Sequence, residues 1–331
     1  MNRKLTFQLS VSMLLSAGSL HALDIGDIVD ELWPKGRKDS GGLSFNAPSG
    51  SASSGVFDVV TFNVDGLPKI IGGNSNGDMS RIGEILKQKG YDILALQEVF
   101  TKTKHDRLLD ELNPSVYPYR SNHHRGSRTT FGDGLLRFSR FAFDKSNDVF
   151  ARKRWDKCAG DLEDYLVDGE NPDCLTEKGF SMASTYVNAG FVIDVYNLHQ
   201  DAGGDGDSLK AKAKNMAQLA EYINAKSAGN VVIVAGDFNL EWGAGKPAEH
   251  RVIIESFTAA TGLTFACVET TGSLDGCEAK FNKPDHIAYK SNGAYRLQVT
   301  ALDYELDFVD AGGYDLSDHW PLRAEFAWIK N

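Results

Sequence analysis

The chain has 331 residues, of which 42% are hydrophobic and 24% are charged. This composition is typical of a globular protein and excludes a disordered or fibrous chain. Its 45 acidic residues outnumber the 35 basic ones, which gives a formal net charge of −10. The excess of negative charge argues against a general binder of polyanions, although a bound divalent cation can still bring a phosphate to an acidic protein.

The first 22 residues predict an export signal. Arg3 and Lys4 form a basic start, an apolar run extends from Leu5 to Leu20, and small residues follow where a signal peptidase can cut. Removing residues 1–22 would leave 33 basic and 45 acidic residues, a formal charge of −12. No later apolar run reaches the roughly 18 residues that a membrane span needs. We therefore expect a secreted or periplasmic protein without an integral membrane segment.

Residues 36–55 are rich in Gly and Ser and predict a flexible connection between this signal and the folded part of the chain. We divide the chain into a signal peptide at 1–22, a lead-in at 23–55 and a single domain at 56–331. No internal repeat or second boundary is evident after residue 56. One domain of about 275 residues is large but within the range of folded domains.

Apolar runs of strand length recur along this domain, at 56–64, 91–99, 134–139, 178–187, 189–199, 230–238, 285–290, 295–304 and 320–328. Helical periodicity separates some of them, notably at 79–90 and 208–229. Some strands follow each other directly across a short turn, as at 187–190, whereas others are joined by helices. The mixture predicts mixed β-sheets with helices outside them, rather than a regular alternation of strand and helix.

All four cysteines lie in the part of the chain that would be exported, as two sequence-local pairs. In an exported protein an even number of cysteines indicates disulfide bonds. Of the three possible connectivities we favour Cys158 with Cys174 and Cys267 with Cys277, since each link would cross-link a loop rich in Gly and Asp. A zinc site is the weaker alternative, because there is no C-x-x-C and no His at ligand spacing.

Polar side chains gather where predicted strands end. Taken singly, each has an ordinary structural explanation as a turn former, a solvated carboxylate or a hydrogen-bonded core residue. Together they supply hard oxygen ligands for a magnesium ion and two imidazoles whose pKa suits proton transfer. The residues concerned are Asn63, Asp65, Gln97, Glu98, His199, Asp237, Asn239 and, just before the last strand, Ser317, Asp318 and His319.

The motifs that contain these residues are, in order, TFNVDGLP, LALQEV, DGLLRFSR, NLHQDAG, GDFN, DHI and SDHWPL. Together they resemble the endonuclease/exonuclease/phosphatase superfamily, which includes deoxyribonuclease I, abasic-site endonucleases, inositol phosphatases and neutral sphingomyelinases. The resemblance spans residues 57–327 and is strongest for GDFN followed at a distance by SDH. It implies an α/β fold, a four-layer sandwich of two packed mixed β-sheets flanked by helices, which hydrolyses a phosphoester at one end.

The resemblance also implies a metal site. Glu98 would bind the cation with help from Asn63, and Asp318 would lie near it. Asp65 resembles the acidic residue that abasic-site endonucleases place beside their metal, so we treat it as an optional ligand. The expected ion is Mg²⁺, with Mn²⁺, Ca²⁺ and Co²⁺ as alternatives.

On one side of the phosphorus, the resemblance implies an activated water. Asp237 and Asn239 would position this water and hold a phosphate oxygen. His319 would take the proton from the water, and Asp285 in KPDHIAY would orient the His319 ring.

On the other side, His199 would stabilise the pentacovalent phosphorus or protonate the leaving oxygen. Asp133 in FGDGLL would brace His199. This division suits a phosphodiester, because the anion repels hydroxide and needs charge neutralised, water aligned and the leaving alkoxide stabilised.

Two stretches look similar to secreted bacterial sphingomyelinases and related phospholipases C, namely 155–180 and the segment NLHQDAGGDGDSLKAKAKNMAQL. We therefore expect a monomeric phosphodiester hydrolase that acts on a phospholipid or sphingolipid headgroup at a membrane surface. No membrane-inserting hairpin with paired exposed aromatic residues is evident, although Trp155 and Trp242 are candidates for that role or for the core.

Other substrates remain open at this stage. The loop at 119–130 lies just before a strand that contributes to the site, where a deoxyribonuclease-like enzyme contacts a nucleic-acid groove. It carries Arg120, His123, His124, Arg125 and Arg128. The alternatives to a lipid hydrolase are therefore an extracellular endonuclease and a phosphomonoesterase of the same superfamily. A binding protein without activity is disfavoured, because every catalytic position is filled.

Overall fold

The computed structural model describes residue 50 and residues 52–69, 72–126, 131–143, 150–160, 173–243 and 245–331. The predicted signal peptide at 1–22 and nearly all of the lead-in at 23–55 lie outside the described residues. The first strand begins at Ser54 and the last ends at Lys330.

The strands are β1 (Ser54–Asn63), β2 (Ile93–Gln97), β3 (Tyr119–Arg120), β4 (Leu136–Ser139), β5 (Ala142–Phe143), β6 (Phe150–Arg154), β7 (Gly179–Asn188), β8 (Phe191–His199), β9 (Val231–Asp237), β10 (Thr264–Phe265), β11 (Asp285–Lys290), β12 (Tyr295–Tyr304) and β13 (Leu322–Lys330). The α-helices are α1 (Asn76–Lys89), α2 (Lys102–Glu111), α3 (Gly206–Lys226), α4 (Ala248–Thr261), α5 (Ala266–Thr271) and α6 (Leu274–Lys280), and a 3₁₀ turn spans Asp173–Leu175. Every run predicted as a strand contains one. The unpredicted strands, β3, β5, β6 and β10, have two to five residues each.

The strands form two mixed sheets, as predicted. In the first sheet the order is β12-β13-β1-β2-β4-β3, and in the second it is β10-β11-β9-β8-β7-β5, with β6 also paired to β7. One pair in each sheet is parallel, β1 with β2 and β8 with β9, and their neighbours are antiparallel. The carboxyl ends of a parallel pair lie at the same edge of its sheet, so each sheet displays the residues that follow two strands at one edge.

Alternation along β1 builds the layers. Phe57 and Val59 belong to the core that includes β7, β8, β9, α3 and α4, whereas Val60 and Phe62 pack with apolar residues of α1 and α2. Successive side chains of a strand point to opposite faces, so one strand contributes to both cores. The layers are therefore α1 and α2, the first sheet, the second sheet, and α3 and α4. The predicted four-layer sandwich is confirmed.

A polar bridge joins the two sheets just below the edge at which β1, β2, β8 and β9 end, which we call the functional edge. Gln97 donates from Nε2 to Asn197 Oδ1 at 2.7 Å and to Thr61 Oγ1 at 3.1 Å. Asn197 donates in turn to the backbone oxygen of Leu96 at 3.0 Å. All three polar side chains are fully buried. A satisfied buried network of this kind fixes the relative position of β2 and β8, which lead into Glu98 and His199.

The two tryptophans considered for membrane insertion are core residues. Trp155 is 5% exposed and donates from Nε1 to the backbone oxygen of His199 at 2.7 Å. Trp242 is 3% exposed, donates to the backbone oxygen of Phe281 and stacks on His286. Within the described ranges, no helix combines the length and apolar character that crossing a bilayer demands.

Two disulfide bonds are present, Cys158–Cys174 and Cys267–Cys277, which is the connectivity favoured from the sequence. The first holds the segment at 158–160 against the 3₁₀ turn beside the functional edge. The second links α5 to α6 on the outside of the second sheet.

Candidate active site

A row of three polar side chains crosses the second sheet at its functional edge. Strand register places His199 beside Asp237 on β9, and Asp237 beside Asp285 on the antiparallel strand β11. All three side chains are buried. Backbone pairing alone, before any loop is considered, therefore brings together one imidazole and two carboxylates that the sequence assigned to the site.

The first sheet supplies the facing half. Asn63 ends β1, and Glu98 follows β2. The Asn63 amide bridges the sheets, because Nδ2 donates to Glu98 Oε1 at 3.0 Å and to Asp237 Oδ2 at 3.0 Å. Its Oδ1 accepts the backbone amide of Asp65 at 3.1 Å. Asn63 thus acts by holding two carboxylates in place rather than by presenting a free oxygen.

Three site residues have strained backbones. Asp65, Glu98 and Asn239 have φ of 49°, 62° and 48°, and they are the non-glycine residues with positive φ in the described part of the chain. Such conformations cost about 1 to 3 kcal/mol each and persist only where the surroundings enforce them. Their confinement to this edge is an independent sign that function is located here.

Two glycines of the motifs are explained by close approach. A Cβ at Gly236 would lie 2.2 Å from the backbone oxygen of Leu198, where β8 and β9 converge on the site. Gly134 has a φ of 68°, and a Cβ there would lie 3.1 Å from the Cα of Glu98. Larger residues at these positions would displace the strand ends that carry His199 and Glu98.

Asp237 lies at the centre of the charge network. Its Oδ1 accepts the Asn239 backbone amide at 2.9 Å, and its Oδ2 lies 3.3 Å from His199 Nε2 and 3.9 Å from His319 Nε2. Burial by itself would raise the pKa of Asp237, but His199 and His319 outweigh it and lower the pKa well below its usual range. Asp237 is therefore an ionised carboxylate.

His319 and Asp285 form a tight pair. His319 Nδ1 lies 2.6 Å from Asp285 Oδ2. The expected role of Asp285 in orienting His319 for catalysis stays a prediction. Burial would lower the pKa of His319, yet Asp285 and Asp237 overcome that effect and raise the pKa strongly. A ring fixed at Nδ1 by a carboxylate presents Nε2 as a strong base toward Asp237.

His199 is fully buried and lacks a satisfied partner. Within the described residues, neither ring nitrogen has a hydrogen-bond partner, although Nε2 lies 3.3 Å from Asp237 Oδ2 and 3.7 Å from Glu98 Oε1. Leaving a buried polar group unpaired costs about 1 to 3 kcal/mol. The His199 ring is therefore held by the charges of Asp237 and Glu98 without a well-aligned hydrogen bond to either.

Asp133 is bound on the rim of the site. Arg152 donates to its Oδ2 at 2.6 Å, the Leu135 amide donates to its Oδ1 at 2.9 Å, and His124 Nδ1 lies 3.7 Å from its Oδ2. These contacts hold Asp133 in place beside β4. Its expected role of bracing His199 stays a prediction.

The carboxylates around Glu98 fit a divalent cation. Burial first, and then the charges of Asp318 and Glu98, raise the pKa of Asp65 to about 7. The Asp318 side chain is 76% exposed and lies at the mouth of the site, whereas that of Glu98 is 18% exposed. Asp318 and Glu98 are thus near enough to Asp65 to destabilise its charge, and carboxylate oxygens are the donors that Mg²⁺ prefers. The expected roles of Glu98, Asn63, Asp65 and Asp318 in metal binding stay predictions.

A second position for a cation exists among Asp237, Asp285 and His319, whose donor atoms lie within 4.8 Å of one another. We favour the Glu98 position. Asp285 and His319 already share a short hydrogen bond, and a metal there would remove the base that the reaction needs. An imidazole is also a poorer ligand for Mg²⁺ than a carboxylate.

Sequence reasoning missed a buried cation at the site. Lys178 donates to Asp173 Oδ1 at 2.5 Å, and both side chains are under 10% exposed. Burial lowers the pKa of Lys178, but Asp173, Glu98 and Asp237 together raise it above its ordinary value. The sequence does contain Lys178-Gly179 in the 155–180 segment, which resembles sphingomyelinases. That resemblance did not indicate that Lys178 itself lies at the site.

Ser317 also has a role that spacing could not reveal. Its Oγ donates to the backbone oxygen of Asn63 at 2.7 Å and accepts the His319 amide at 3.2 Å. The serine of the SDH motif therefore joins the end of β1 to the segment that carries the base.

This set of groups, with an oriented imidazole, ionised carboxylates, a second imidazole and oxygen donors for a cation, is what metal-assisted hydrolysis of a phosphate ester requires. The chain belongs to the endonuclease/exonuclease/phosphatase family, whose model matches residues 60–319. The family predicted from the motifs is confirmed.

Among curated proteins, the chain is 29% identical over 304 residues to a sphingomyelinase of Mycobacterium tuberculosis. That match covers 86% of this chain and 55% of the relative, so the chain spans about half the length of the mycobacterial protein.

Two solved structures share the fold. One is the beta toxin of Staphylococcus aureus with bound magnesium ions, with a TM-score of 0.56 and 18% identity over 81% of this chain and 98% of the toxin. The other is D. rerio TDP2 with a single-strand DNA product, with a TM-score of 0.58 and 14% identity over 82% of this chain and 98% of that one. At these identities the likeness shows the fold class alone.

Proposed function

We propose that this protein is an exported, Mg²⁺-dependent phosphodiesterase that hydrolyses sphingomyelin or a related phospholipid and releases its phosphorylated headgroup. The observation that carries the proposal is the row of Asp285, Asp237 and His199 across the second sheet, faced by Glu98 and completed by His319. The sphingomyelinase named among the relatives supports the choice of substrate.

In the reaction, His319 takes a proton from the attacking water at Nε2. Asp285 holds the ring through Nδ1 and stabilises the imidazolium that forms. Glu98, with Asn63, Asp65 and Asp318, would hold the Mg²⁺ ion. Bound Mg²⁺ would supply charge neutralisation for the phosphate oxygens and the leaving oxygen.

The remaining groups orient the phosphate. Asp237, ionised and held by Asn63 and the Asn239 amide, aligns the water, and the Asn239 side chain is positioned by its bond to the backbone oxygen of Gln200 at 3.0 Å. His199 protonates or stabilises the leaving alkoxide, which gives its unpartnered ring nitrogens a ligand. The water and the leaving group then lie on opposite sides of the phosphorus, as in-line displacement requires.

Two features favour a lipid over a nucleic acid. In the loop proposed to contact a groove, Arg125 is exposed, but Arg120 is only 5% exposed and so is not free to contact a nucleic-acid backbone. By contrast, the connection between β12 and β13, which carries His319, exposes Tyr314 and Leu306 at 75% and 60%. Exposed apolar side chains on the connection that carries His319 suit an enzyme that approaches a bilayer.

The test is a panel of substrates given to the mature protein with Mg²⁺: sphingomyelin, phosphatidylcholine, plasmid DNA and a phosphomonoester. We expect release of a phosphorylated headgroup from one of the lipids, and none from a Glu98→Gln variant of unchanged unfolding temperature. Cleavage of plasmid DNA without lipid turnover would replace the lipid hydrolase by a nuclease. Turnover of the phosphomonoester alone would make the protein a phosphatase.

A further inference from the structure

A buried lysine reaches the site from helix α3. Lys212 is 1% exposed, yet its ammonium extends to the functional edge. Nζ donates to the backbone oxygen of Gly203 at 2.5 Å and to that of Asn239 at 2.7 Å. One side chain therefore bonds the loop after β8, which begins at His199, and the loop after β9, which begins at Asp237.

The two carbonyls belong to backbone that the sheet leaves unpaired. Gly203 has a φ of 76° and Asn239 a φ of 48°, so both residues are in the left-handed region. Asn239 is held in that conformation from three sides: its amide bonds Asp237 Oδ1, its side chain bonds the Gln200 carbonyl, and its own carbonyl bonds Lys212. Removing the lysine would leave a strained residue with one restraint fewer and two partly buried carbonyls without this donor.

A second bond from α3 supports the same loop. Asn215 Nδ2 donates to Gln200 Oε1 at 2.9 Å, and that oxygen also accepts the Asp201 amide at 2.9 Å. Helix α3 therefore contacts the loop after β8 at two polar positions, one helical turn apart. Of the two, Lys212 is the one that also reaches the loop after β9.

The electrostatic setting of Lys212 is costly. Both of its hydrogen bonds in the described structure go to carbonyl oxygens, and none goes to a carboxylate. Burial lowers the pKa of Lys212 to about 8, an effect opposed by the charges of Asp237, Asp173 and Asp201 and assisted by Lys178. A well-packed apolar side chain in such a place is often at least as stable as a buried charge. A lysine in this costly place points to a role in positioning rather than in stability.

We propose that Lys212 is a positioning residue for the reaction, because its ammonium bonds the Gly203 and Asn239 carbonyls and so fixes Asn239 and Asp237 relative to His199. The inference rests on the proposed phosphodiester hydrolysis and adds to it a residue outside the set that contacts the phosphate. Displacing catalytic groups by about 1 Å can cost on the order of a hundredfold in rate.

The test compares Lys212→Met with Leu219→Ala on the same helix. Leu219 is fully buried and belongs to the apolar core, so its truncation should lower stability without altering the loops. Rates are measured with bis(4-nitrophenyl) phosphate and with sphingomyelin in detergent micelles, and unfolding temperatures are measured for each variant. We expect Lys212→Met to lower kcat at least about tenfold with KM changed by less than about threefold, and Leu219→Ala to keep its kcat.

Magnesium affinity gives a second readout. Lys212 does not contact Glu98, Asn63 or Asp65 in the described structure, so calorimetric titration should give Lys212→Met the magnesium affinity of the wild type. If Lys212→Met does not fold, Lys212→Gln keeps an amide donor at the same position and should show a smaller loss of kcat. A variant with wild-type kcat, or one whose loss of rate is matched by Leu219→Ala at equal loss of stability, would overturn the proposal.

The two substrates separate this inference from the proposed function. If the wild type cleaves bis(4-nitrophenyl) phosphate but not sphingomyelin, the lipid assignment fails and Lys212 is judged on the first substrate alone. If the wild type cleaves neither, the proposed hydrolysis fails and the role of Lys212 fails with it.

Discussion

The two faces of strand β11 differ in their chemistry: one contributes to the candidate site and the other to an aromatic cluster in the core. Asp285 and His286 are adjacent on β11, and strand alternation sends them to opposite faces. Asp285 joins the catalytic row through His319. His286 lies in an aromatic cluster, stacked on Trp242 and bonded through Nε2 to the backbone oxygen of Leu240 at 2.8 Å.

The comparison separates burial from function. His199 and His286 are both at most 2% exposed, so exposure does not distinguish them. The His286 ring has a backbone acceptor and aromatic neighbours on its faces, whereas both ring nitrogens of His199 lack a partner within the described residues. A buried polar side chain whose hydrogen-bonding atoms have partners, such as His286, belongs to the packed core. A buried side chain whose atoms lack such partners beside other ionisable groups, such as His199, is a candidate for a functional role.

The largest effects should follow changes in the two imidazoles proposed to act as acid and base, His199 and His319. His199→Ala and His319→Ala should each lower kcat by about 10²- to 10⁴-fold, because each removes an acid or base from the transition state. The double variant should lose less than the product of the two factors, since both groups serve one step. Steady-state kinetics with sphingomyelin, together with unfolding temperatures, would check this. Near wild-type rates for either single variant would break the comparison with His286.

The next largest difference should be between the two disulfide bonds, because only Cys158–Cys174 lies beside the candidate site. The Cys158–Cys174 bond fixes the 3₁₀ turn at its middle residue, Cys174, next to Asp173. Asp173 is the partner of Lys178, whose pKa is raised in part by Glu98. Replacing both cysteines by Ser should lower kcat about tenfold, because the turn would shift and the Lys178 ammonium bound to Asp173 would shift with it. The matched variant, Cys267→Ser with Cys277→Ser, should keep kcat. Each pair should lose about 2 to 4 kcal/mol of unfolding free energy, and equal kinetic losses for the two pairs would contradict the distinction.

In the aromatic cluster, the expected effect is on stability and its pH dependence. Burial lowers the pKa of His286 to about 4. The unfolded chain then binds a proton near pH 6.5 that the folded chain binds only near pH 4, so this residue should withdraw up to about 3 kcal/mol of stability as the pH falls between those values. His286→Gln should flatten urea-unfolding stability across that window and retain kcat at neutral pH. An unchanged slope would show that the ring titrates normally.

The smallest effect concerns lipid presentation. Tyr314→Ser with Leu306→Ser should slow turnover of sphingomyelin in vesicles by a few fold, because two exposed apolar side chains of the β12–β13 connection are lost, and should leave turnover in detergent micelles unchanged. Val252→Ser is a matched control, since Val252 is also 60% exposed but lies on α4. Equal rates on vesicles for the wild type and the double variant would remove this connection from the lipid-facing surface.

The sequence predicted the long strands and most of the site because each catalytic residue directly follows or precedes an apolar run. It could not predict Lys178, Asp173 or Lys212. A lysine in a helix such as α3 has the pattern of a solvent-facing residue, and only the packed structure reveals that its ammonium lies under two loops.

The histidines illustrate the same limit. Spacing alone gave His199 and His286 similar surroundings, each within or at the end of an apolar strand. The distinction between them depends on partners brought by distant segments, Trp242 and Leu240 for one and Asp237 and Glu98 for the other. Local pattern determines which face of a strand a residue occupies, and tertiary contacts determine whether its polar atoms are satisfied.

The pairing of β1 with β13 has a consequence for how activity is acquired. These are the first and last strands of the domain, and they lie side by side in the first sheet. Asn63 ends the first, and His319 lies just before the last, joined to it through Ser317. Contacts between such distant parts of a chain form slowly. We expect the proposed hydrolysis to appear late in folding, only once β13 has paired between β12 and β1 and has brought His319 to the end of β1.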